Sequence, residues 1–263
     1  MPGDNDFLTF DCISKIFNRD GVNETSVFNR FSLSVARGEY VSIIGSNGSG
    51  KTTLLNLLCG STSLDGGSIS LDGLELNPLR EFERAKYIGR VFQAPGKGAC
   101  GTLTVLENMS LADSKNKFFG LTRAIDKKRT GYYKEKLALL HLGLENHLDQ
   151  SVGTLSGGQR QALALLMCTM SPIELLVLDE HTAALDPTSS ANIMDLTDQF
   201  VSELHVTTLM VTHNLRYAVE HGDRLLMLHQ GHAVVDLRGE DKTATTVNDL
   251  LKIFNEISIE CGN

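Results

Sequence analysis

No apolar run in this sequence approaches the ~18 residues that a membrane-spanning helix needs. The longest candidates, around Ala162–Met170 and Leu175–Leu178, fall far short. There is no CxxC pair. The five cysteines, Cys12, Cys59, Cys100, Cys168 and Cys261, are odd in number and scattered, which fits reduced thiols better than a disulfide framework or a zinc site. Basic charge is not in excess either. Thirty-two acidic against 24 basic residues give a net charge of −8, which argues against a chain held to nucleic acid by bulk charge. The first residues, Met1-Pro2-Gly3-Asp4-Asn5-Asp6-Phe7, contain acids and no apolar stretch, so no signal peptide is expected. No internal repeat or low-complexity segment is visible. Secreted, membrane-spanning and collagen-like classes are not expected.

What is present is ordinary globular material: 263 residues, 41% hydrophobic and 21% charged. That is enough to bury a core and gives one to two domains at ~150 residues each. Strand and helix signals alternate, the pattern of an α/β sheet protein. Phe31, Leu33 and Val35 alternate with polar residues, and Tyr40–Gly45 is a continuous apolar run typical of a buried central strand. Leu54, Leu55, Leu57 and Leu58 follow at helical spacing, with Gly60 as the expected C-cap. Ile69 and Leu71 before Asp72-Gly73 predict a strand entering a turn, and Tyr87–Phe92 predicts another strand. From about Thr104 to Met170 the strand signal disappears and helical stretches such as Tyr132–Leu142 take over. Strand-like Leu175–Leu178, Thr207–Val211 and Arg224–Leu228 then alternate with helices near Ser189–Leu204 and Asn214–Glu220. A short hairpin and a final helix are expected after Gly231.

Gly45-Ser46-Asn47-Gly48-Ser49-Gly50-Lys51-Thr52-Thr53 lies between a predicted buried strand and a predicted helix. Its glycines let the backbone curl so that successive N–H groups face one anion, and the helix N-terminus adds partial positive charge. Lys51 brings a full charge to the β- and γ-phosphates of a nucleotide; at ~4 Å and an effective dielectric near 20 a unit pair is worth on the order of 4 kcal/mol. Thr52 offers a hydroxyl to Mg²⁺. The competing reading is a glycine-rich turn that binds nothing.

Glu174-Leu175-Leu176-Val177-Leu178-Asp179-Glu180 is an apolar strand ending in two carboxylates. Phosphoryl transfer wants one carboxylate at the metal and one orienting the attacking water, so Asp179 is assigned to Mg²⁺ through water and Glu180 to the nucleophile. A solvated acid pair capping a strand is the alternative. Leu155-Ser156-Gly157-Gly158-Gln159-Arg160-Gln161 opens the helix running to Met170 and provides a second anion-binding helix end. The phosphate loop already covers one face of an ATP, so this second end is best used on another copy's nucleotide. That predicts a homodimer closed through ATP; an ordinary glycine-rich N-cap is the competing reading.

The phosphate loop, Gln93 after a strand, Leu155–Gln159, the strand ending in Asp179-Glu180, Ala184-Leu185-Asp186 and the isolated His213 after Val211-Thr212 stand in the order seen in ABC-type ATPases. The chain resembles that family from about Leu8 to Val235. The resemblance implies an α/β fold, a P-loop NTPase (ABC ATPase) core with an antiparallel β subdomain and a helical subdomain. As one ABC ATPase domain over 1–263, it would divide into an α/β catalytic core with the N-terminal β subdomain at 1–98 and 171–250. A helical subdomain would follow at 99–170 and a C-terminal helix and tail at 251–263. It also implies that Gln93 senses the γ-phosphate and metal and links the site to the helical subdomain. His213 would hydrogen-bond the γ-phosphate and Glu180, Asp186 would lie in a loop crossing the dimer interface, and Phe17 would stack on adenine. The competing readings are a half-buried strand aromatic for Phe17 and a solvated loop residue for Gln93.

The run Leu142-Gly143-Leu144-Glu145-Asn146-His147-Leu148-Asp149, with Asp179-Glu180-His181-Thr182-Ala183-Ala184-Leu185-Asp186-Pro187, is similar to one branch of bacterial importer ATPases. Members of that branch are usually encoded beside a permease and a lipoprotein-type binding protein, and some are associated with aromatic amino acids. The resemblance therefore implies an ATPase using ATP and Mg²⁺, peripheral on the cytoplasmic face of the membrane, energising a separate permease. Import of a small solute such as an amino acid, with an extracytoplasmic binding protein, follows from the same likeness. The rival is a soluble ABC ATPase of an assembly complex, such as an iron–sulfur scaffold. A chromosome or repair ATPase is disfavoured because Gln93 and Leu155 stand only 62 positions apart, without heptads.

His181 departs from the proline that most relatives carry after the catalytic glutamate; it is either a titrating neighbour of the γ-phosphate or a packing variant. His229-Gln230-Gly231-His232 has ligand-like residues on a predicted turn, with no further ligands nearby. Lys115, Lys117, Arg123, Lys127, Lys128, Arg129 and Lys134 against Asp126 make a local basic excess, either a solvated helix face or a surface for anionic lipid or an acidic permease loop.

Overall fold

The computed structural model describes residues 6–115, 125 and 127–260. In chain order the strands and helices begin with β1 (Asp6–Phe17), β2 (Thr25–Ala36), β3 (Tyr40–Gly45), α1 (Lys51–Cys59), β4 (Gly66–Leu71), β5 (Leu74–Glu75) and the single turn α2 (Glu81–Arg84). They continue with β6 (Ile88–Val91), α3 (Val105–Ser114), α4 (Thr130–Ala138), α5 (Gly157–Thr169), β7 (Leu175–Asp179) and α6 (Pro187–Leu204). The last are β8 (Thr207–Val211), α7 (Leu215–Glu220), β9 (Arg224–His229), β10 (His232–Arg238), α8 (Gly239–Ala244) and α9 (Val247–Glu260). The chain forms two compact units, Met1–Arg84 with Thr207–Asn263, and Ala85–Val206.

In the first unit β3 is the buried central strand that its unbroken apolar sequence predicts, every residue of it buried. Its one polar member, Ser42, is satisfied by donating to the carbonyl of His221 at 3.0 Å. Strands β8 and β9 flank it in parallel, Ser42 pairing with Met210 on one side and Leu225 on the other, and β10 closes on β9 antiparallel. One face is covered by α7 and α9. Leu250, Ile253, Phe254 and Ile257, at helical spacing, pack with Ala218 against Ile44, Leu225 and Met227, each fully buried apolar side chain contributing about 1.5–3 kcal/mol. A second, antiparallel sheet runs β2-β1-β4-β5. The turn Asp72-Gly73 has positive φ at both residues, as a tight two-residue hairpin needs. Strand β1 is not evident in the sequence because bulges, with Cys12 at φ 48°, break its alternation.

Arg224, 2% exposed, ties the two sheets of this unit. It forks onto Asp236 through Nε–Oδ1 (2.6 Å) and Nη2–Oδ2 (2.7 Å) and donates to the Ser34 carbonyl at 2.7 Å.

In the second unit β6 and β7 pair in parallel, Arg90 opposite Val177. Among the described residues of 104–170 there is no strand, only an isolated bridge between Thr104 and Ser151. Thr104 opens α3 with a capping box to Glu107. Asn108, 1% exposed, locks the preceding loop through Cys100 N (2.8 Å), Cys100 O (3.0 Å) and Thr104 O (2.9 Å). Helix α4 stops at Ala138, short of the predicted Leu142, because His141 (φ 52°) and Gly143 (φ 72°) leave the helical region. The apolar stretch of α5 is core, with Gln161–Leu166 buried.

Of the basic stretch, Lys117, Arg123 and Asp126 lie outside the described residues. Arg129 donates through Nη2 to Asp113 Oδ1 at 2.9 Å and stacks over Tyr132, and burial pushes the Lys115 ammonium down. No described helix is long and apolar enough to cross a membrane.

Candidate functional site

The phosphate loop turns between the end of β3 and α1. Ser49 N–H donates to the Ser46 carbonyl at 3.2 Å, and φ is positive at Gly45, Gly48 and Gly50. Gly45 is required twice over, since a Cβ there would strike the Leu228 carbonyl, and at Gly50 it would meet Phe28 Cζ at 2.8 Å. Helix α1 has no side-chain N-cap and no acid in its first turn. In contrast α3, α5, α6 and α7 are each capped by Thr104, Ser156, Asp186 and Asn214. No side chain caps the first amides of α1, as is also true of α4, and what suits this end to an anion is the glycine loop before it and Lys51 at its start. Lys51, 5% exposed, is the first residue of α1 and donates through Nζ to the carbonyls of Gly45 (2.8 Å) and Ser46 (2.9 Å). The Ser49 hydroxyl is buried with no hydrogen-bond partner. An orphaned hydroxyl in a ring of amides beside a lysine fits a phosphate.

Two other predicted residues come to the same end of the first unit. Val211 pairs with Ile43, and Thr212 N–H donates to the Ile43 carbonyl at 3.1 Å, so His213, exposed, stands level with Gly45 at the carboxyl ends of adjacent parallel strands. That is where open α/β sheets bind ligands. Phe17, 36% exposed, ends β1 opposite Thr25. Two residues further along β2, Val27 and Phe28 abut Gly50, and Lys15 Nζ sits 5.2 Å from the Phe17 ring. The turn His229–His232 buttresses the phosphate loop. Gly231 N–H donates to the Ser49 carbonyl at 3.1 Å, and His229 Nδ1 lies 3.4 Å from Ser46 Oγ.

The second unit repeats this logic. Val91 pairs with Leu178, so Gln93 and Glu180 stand level just beyond the ends of β6 and β7, with Asp179 closing β7. Gln93 is exposed and Glu180 half-buried, with φ 49°, the turn that carries the chain off the strand. The Gln161 amide donates to the Phe92 carbonyl at 3.0 Å, coupling the residue before Gln93 to α5. Ser156 caps α5 in a closed box: its hydroxyl accepts from Gln159 N–H at 3.2 Å and the Gln159 side chain accepts from Ser156 N–H at 3.0 Å. The N–H groups of Gly157 and Gly158 are then the helix-end donors without intrahelical acceptors. A Cβ at Gly158 would meet Ser189 at 3.1 Å and one at Gly157 would meet Leu185 at 3.2 Å, so these glycines also admit the start of α6. Asp186 is the N-cap of α6, and hydrogen bonds from the Ser189 side chain and backbone hold its carboxyl below the usual range. His181 is buried, 3.1 Å from the Thr197 hydroxyl.

The residues expected at Mg²⁺ each carry an oxygen of the hard kind that ion takes, Thr52 in the first unit and Gln93 and Asp179 in the second. Among the described residues no group of three or more His, Cys, Asp or Glu forms a metal-binding cluster. Reading the sequence missed two residues. Arg90 Nη2 donates to Asp179 Oδ2 at 2.6 Å, and Gln161 is a buried amide on an otherwise apolar helix face. Their only signal was a polar residue inside an apolar run.

A phosphate loop at the end of a parallel strand in the first unit, with a glycine-rich helix end and a carboxylate-ended strand in the second, is the motif set of a phosphate-loop NTPase. Residues 28–183 match the ABC transporter family. The chain is 43% identical over 242 residues to the tyrosine transport ATP-binding protein of Clostridioides difficile, covering 92% of this chain and 96% of that one. It is 31% identical over 236 residues to the bacitracin export ATP-binding protein of Halalkalibacterium halodurans, covering 88% and 89%. Its fold is similar to a dimeric ATP-binding cassette solved in a post-hydrolysis state with ADP and Pi, at TM-score 0.74 and 27% identity over 88% of this chain and 98% of that one. The chain belongs to the ABC transporter family, as an ATP-binding and ATP-hydrolysing subunit.

Proposed function

We propose that this subunit drives import of a small solute, an aromatic amino acid by preference, through a separate membrane permease on whose cytoplasmic face it sits, supplied by an extracytoplasmic binding protein. The observation that carries the reading is the uncapped first turn of α1, with Lys51 and the orphaned Ser49 hydroxyl beside it. The importer-like runs at 142–149 and 179–187 and the 43% identity to a tyrosine transport protein support the solute class. The assembly-complex rival has no observation in its favour.

Two copies close head to tail on ATP. The amides of Gly45–Thr53 and the Lys51 ammonium of one copy hold the β- and γ-phosphates, while Ser156, Gly157, Gly158 and Gln159 of the other meet the γ-phosphate. Phe17 stacks on adenine. Thr52, Gln93 and Asp179 would hold Mg²⁺, which supplies charge neutralisation on the phosphates when bound. Glu180 orients the attacking water and His213 holds the γ-phosphate. Asp186, fixed as the α6 cap, reaches across the interface. Gln93 passes the change, through Phe92 and Gln161, to residues 99–170 and on to the permease. Hydrolysis separates the charges that closed the dimer, and the copies loosen.

The test is reconstitution with a candidate permease partner in sealed vesicles, with tyrosine and a binding protein on the outer side. ATP-dependent tyrosine accumulation supports the reading; accumulation of only non-aromatic solutes removes the solute class, and outward transport removes import. A wholly soluble complex with no permease partner removes the transport reading.

A further inference from the structure

We propose that Arg90 is the counter-ion that governs metal entry at Asp179. It restrains the carboxylate's charge so that the site takes a divalent cation together with nucleotide phosphates and poorly by itself. The inference rests on the proposed place of Asp179 in the Mg²⁺ shell.

The strand Ile88-Gly89-Arg90-Val91 is short and apolar except for this arginine. Both side chains of the pair are 12% exposed, and Nη2–Oδ2 is 2.6 Å. A guanidinium so placed is costly unless paired, and among the described residues Asp179 is its one ion-pair partner and it is the one partner of Asp179. The arginine is held on three sides. Its carbonyl accepts from Cys168 Sγ at 3.2 Å, its guanidinium lies 4.8 Å from the Phe92 ring, and its backbone pairs in register with Val177. Its Nε is buried without a hydrogen-bond partner, so the fork is spent on one carboxylate oxygen.

The physical consequence is electrostatic. A fixed positive charge at hydrogen-bond distance cancels much of the field that Asp179 would present to a bare cation, and at this burial water screens it weakly. A cation arriving with ATP or ADP brings phosphates whose negative charge offsets the arginine. Arg90 is thus a positioning residue that acts through Asp179.

The measurement is binding of a fluorescent ADP analogue to the full-length chain, with Mg²⁺ as the titrant and no turnover. Arg90→Met is expected to lower the Mg²⁺ concentration for half-maximal binding by about fivefold or more, while Arg90→Lys, which keeps the charge, stays within about twofold of the parent. Binding in EDTA is expected to be the same in all three. Should Arg90→Met not fold, Arg90→Gln gives the same reading. A half-saturation that is unchanged or raised on removing the charge overturns the inference, provided Asp179→Asn raises the Mg²⁺ requirement. If Asp179→Asn leaves it unchanged, the metal assignment of Asp179 itself has failed, and the Arg90 inference falls with it.

Discussion

Nε2 of His181 lies 3.1 Å from the Thr197 hydroxyl, which is itself 2.7 Å from the Ile193 carbonyl. The hydroxyl has one proton, and the carbonyl one turn back on α6 takes it. Thr197 therefore accepts from His181, which places a proton on Nε2 of the ring. Of the two sequence readings of His181, this geometry favours packing: the imidazole, 2% exposed, seats the residue after Glu180 on α6. Two outcomes follow. His181→Pro is expected to leave the shape of the pH–rate profile unchanged. Thr197→Val strands a buried N–H and is expected to cost about 1–3 kcal/mol, read by thermal unfolding. A profile displaced in His181→Pro would restore the titrating role.

Glu180 is the half-buried carboxylate just beyond β7, level with Gln93. Glu180→Gln keeps the shape and removes the carboxylate proposed to orient the attacking water. ATP binding should persist and ATP-bound dimers should accumulate on size-exclusion chromatography, while turnover falls by on the order of 10²–10⁴. Parental turnover in this variant would refute the assigned role, and a strictly monomeric ATP-bound form would refute closure of two copies by nucleotide.

The phosphate loop and the carboxylate strand were legible because their chemistry lies in contiguous residues, and β3 and β7 because burial on both faces leaves an uninterrupted apolar run. Strand β1 was not, since positive φ at Cys12 shifts its register and scrambles the alternation that would reveal it. Nor was the Arg90–Asp179 pair. Arg90 and Asp179 are 89 positions apart, and only the parallel register of β6 on β7 brings them together. Helix α4 is shorter than its periodicity predicts, because the helical spacing continues through Leu142 while His141 is held in the left-handed region. Thr104, Asp186 and Asn214 bear on the same lesson: residues of capping type mark helix starts, but the sequence does not tell a cap from a ligand-binding group, and Asp186 is read as both.

The Arg224–Asp236 fork predicts an acid-side dependence of stability. Burial raises the Asp236 carboxyl, but the hydrogen bonds and charge of Arg224, with help from Arg238, outweigh it, and the net shift is downward. A carboxyl lower in the folded than in the unfolded chain adds stability above the unfolded value of ~3.9, and that contribution is lost as pH falls through the folded value. The stability difference between parent and Asp236→Asn, from urea unfolding at stepped pH, should hold constant above about pH 5 and shrink below about pH 4. Arg224→Met, which leaves the Ser34 carbonyl without its donor, should cost about 3–5 kcal/mol at neutral pH. A difference that grows on acidification would contradict the assignment.

The cysteines offer a chemical readout of the second unit. Cys100 is exposed, and hydrogen bonds with the Thr102 side chain and backbone draw its thiol down; Cys168 is half-buried, and desolvation of its thiol pushes it up to about 11. At pH 8 a thiol at that value is about one part in a thousand thiolate, the reactive form. Iodoacetamide labelling of the native chain, followed by peptide mass spectrometry, should modify Cys100 well before Cys168, and denaturant should bring the two rates together. Because Cys168 Sγ donates to the Arg90 carbonyl, its modification reports loosening of β6 from α5. Labelling of Cys168 at the rate of Cys100 in the native protein would show that β6 and α5 do not hold together as described.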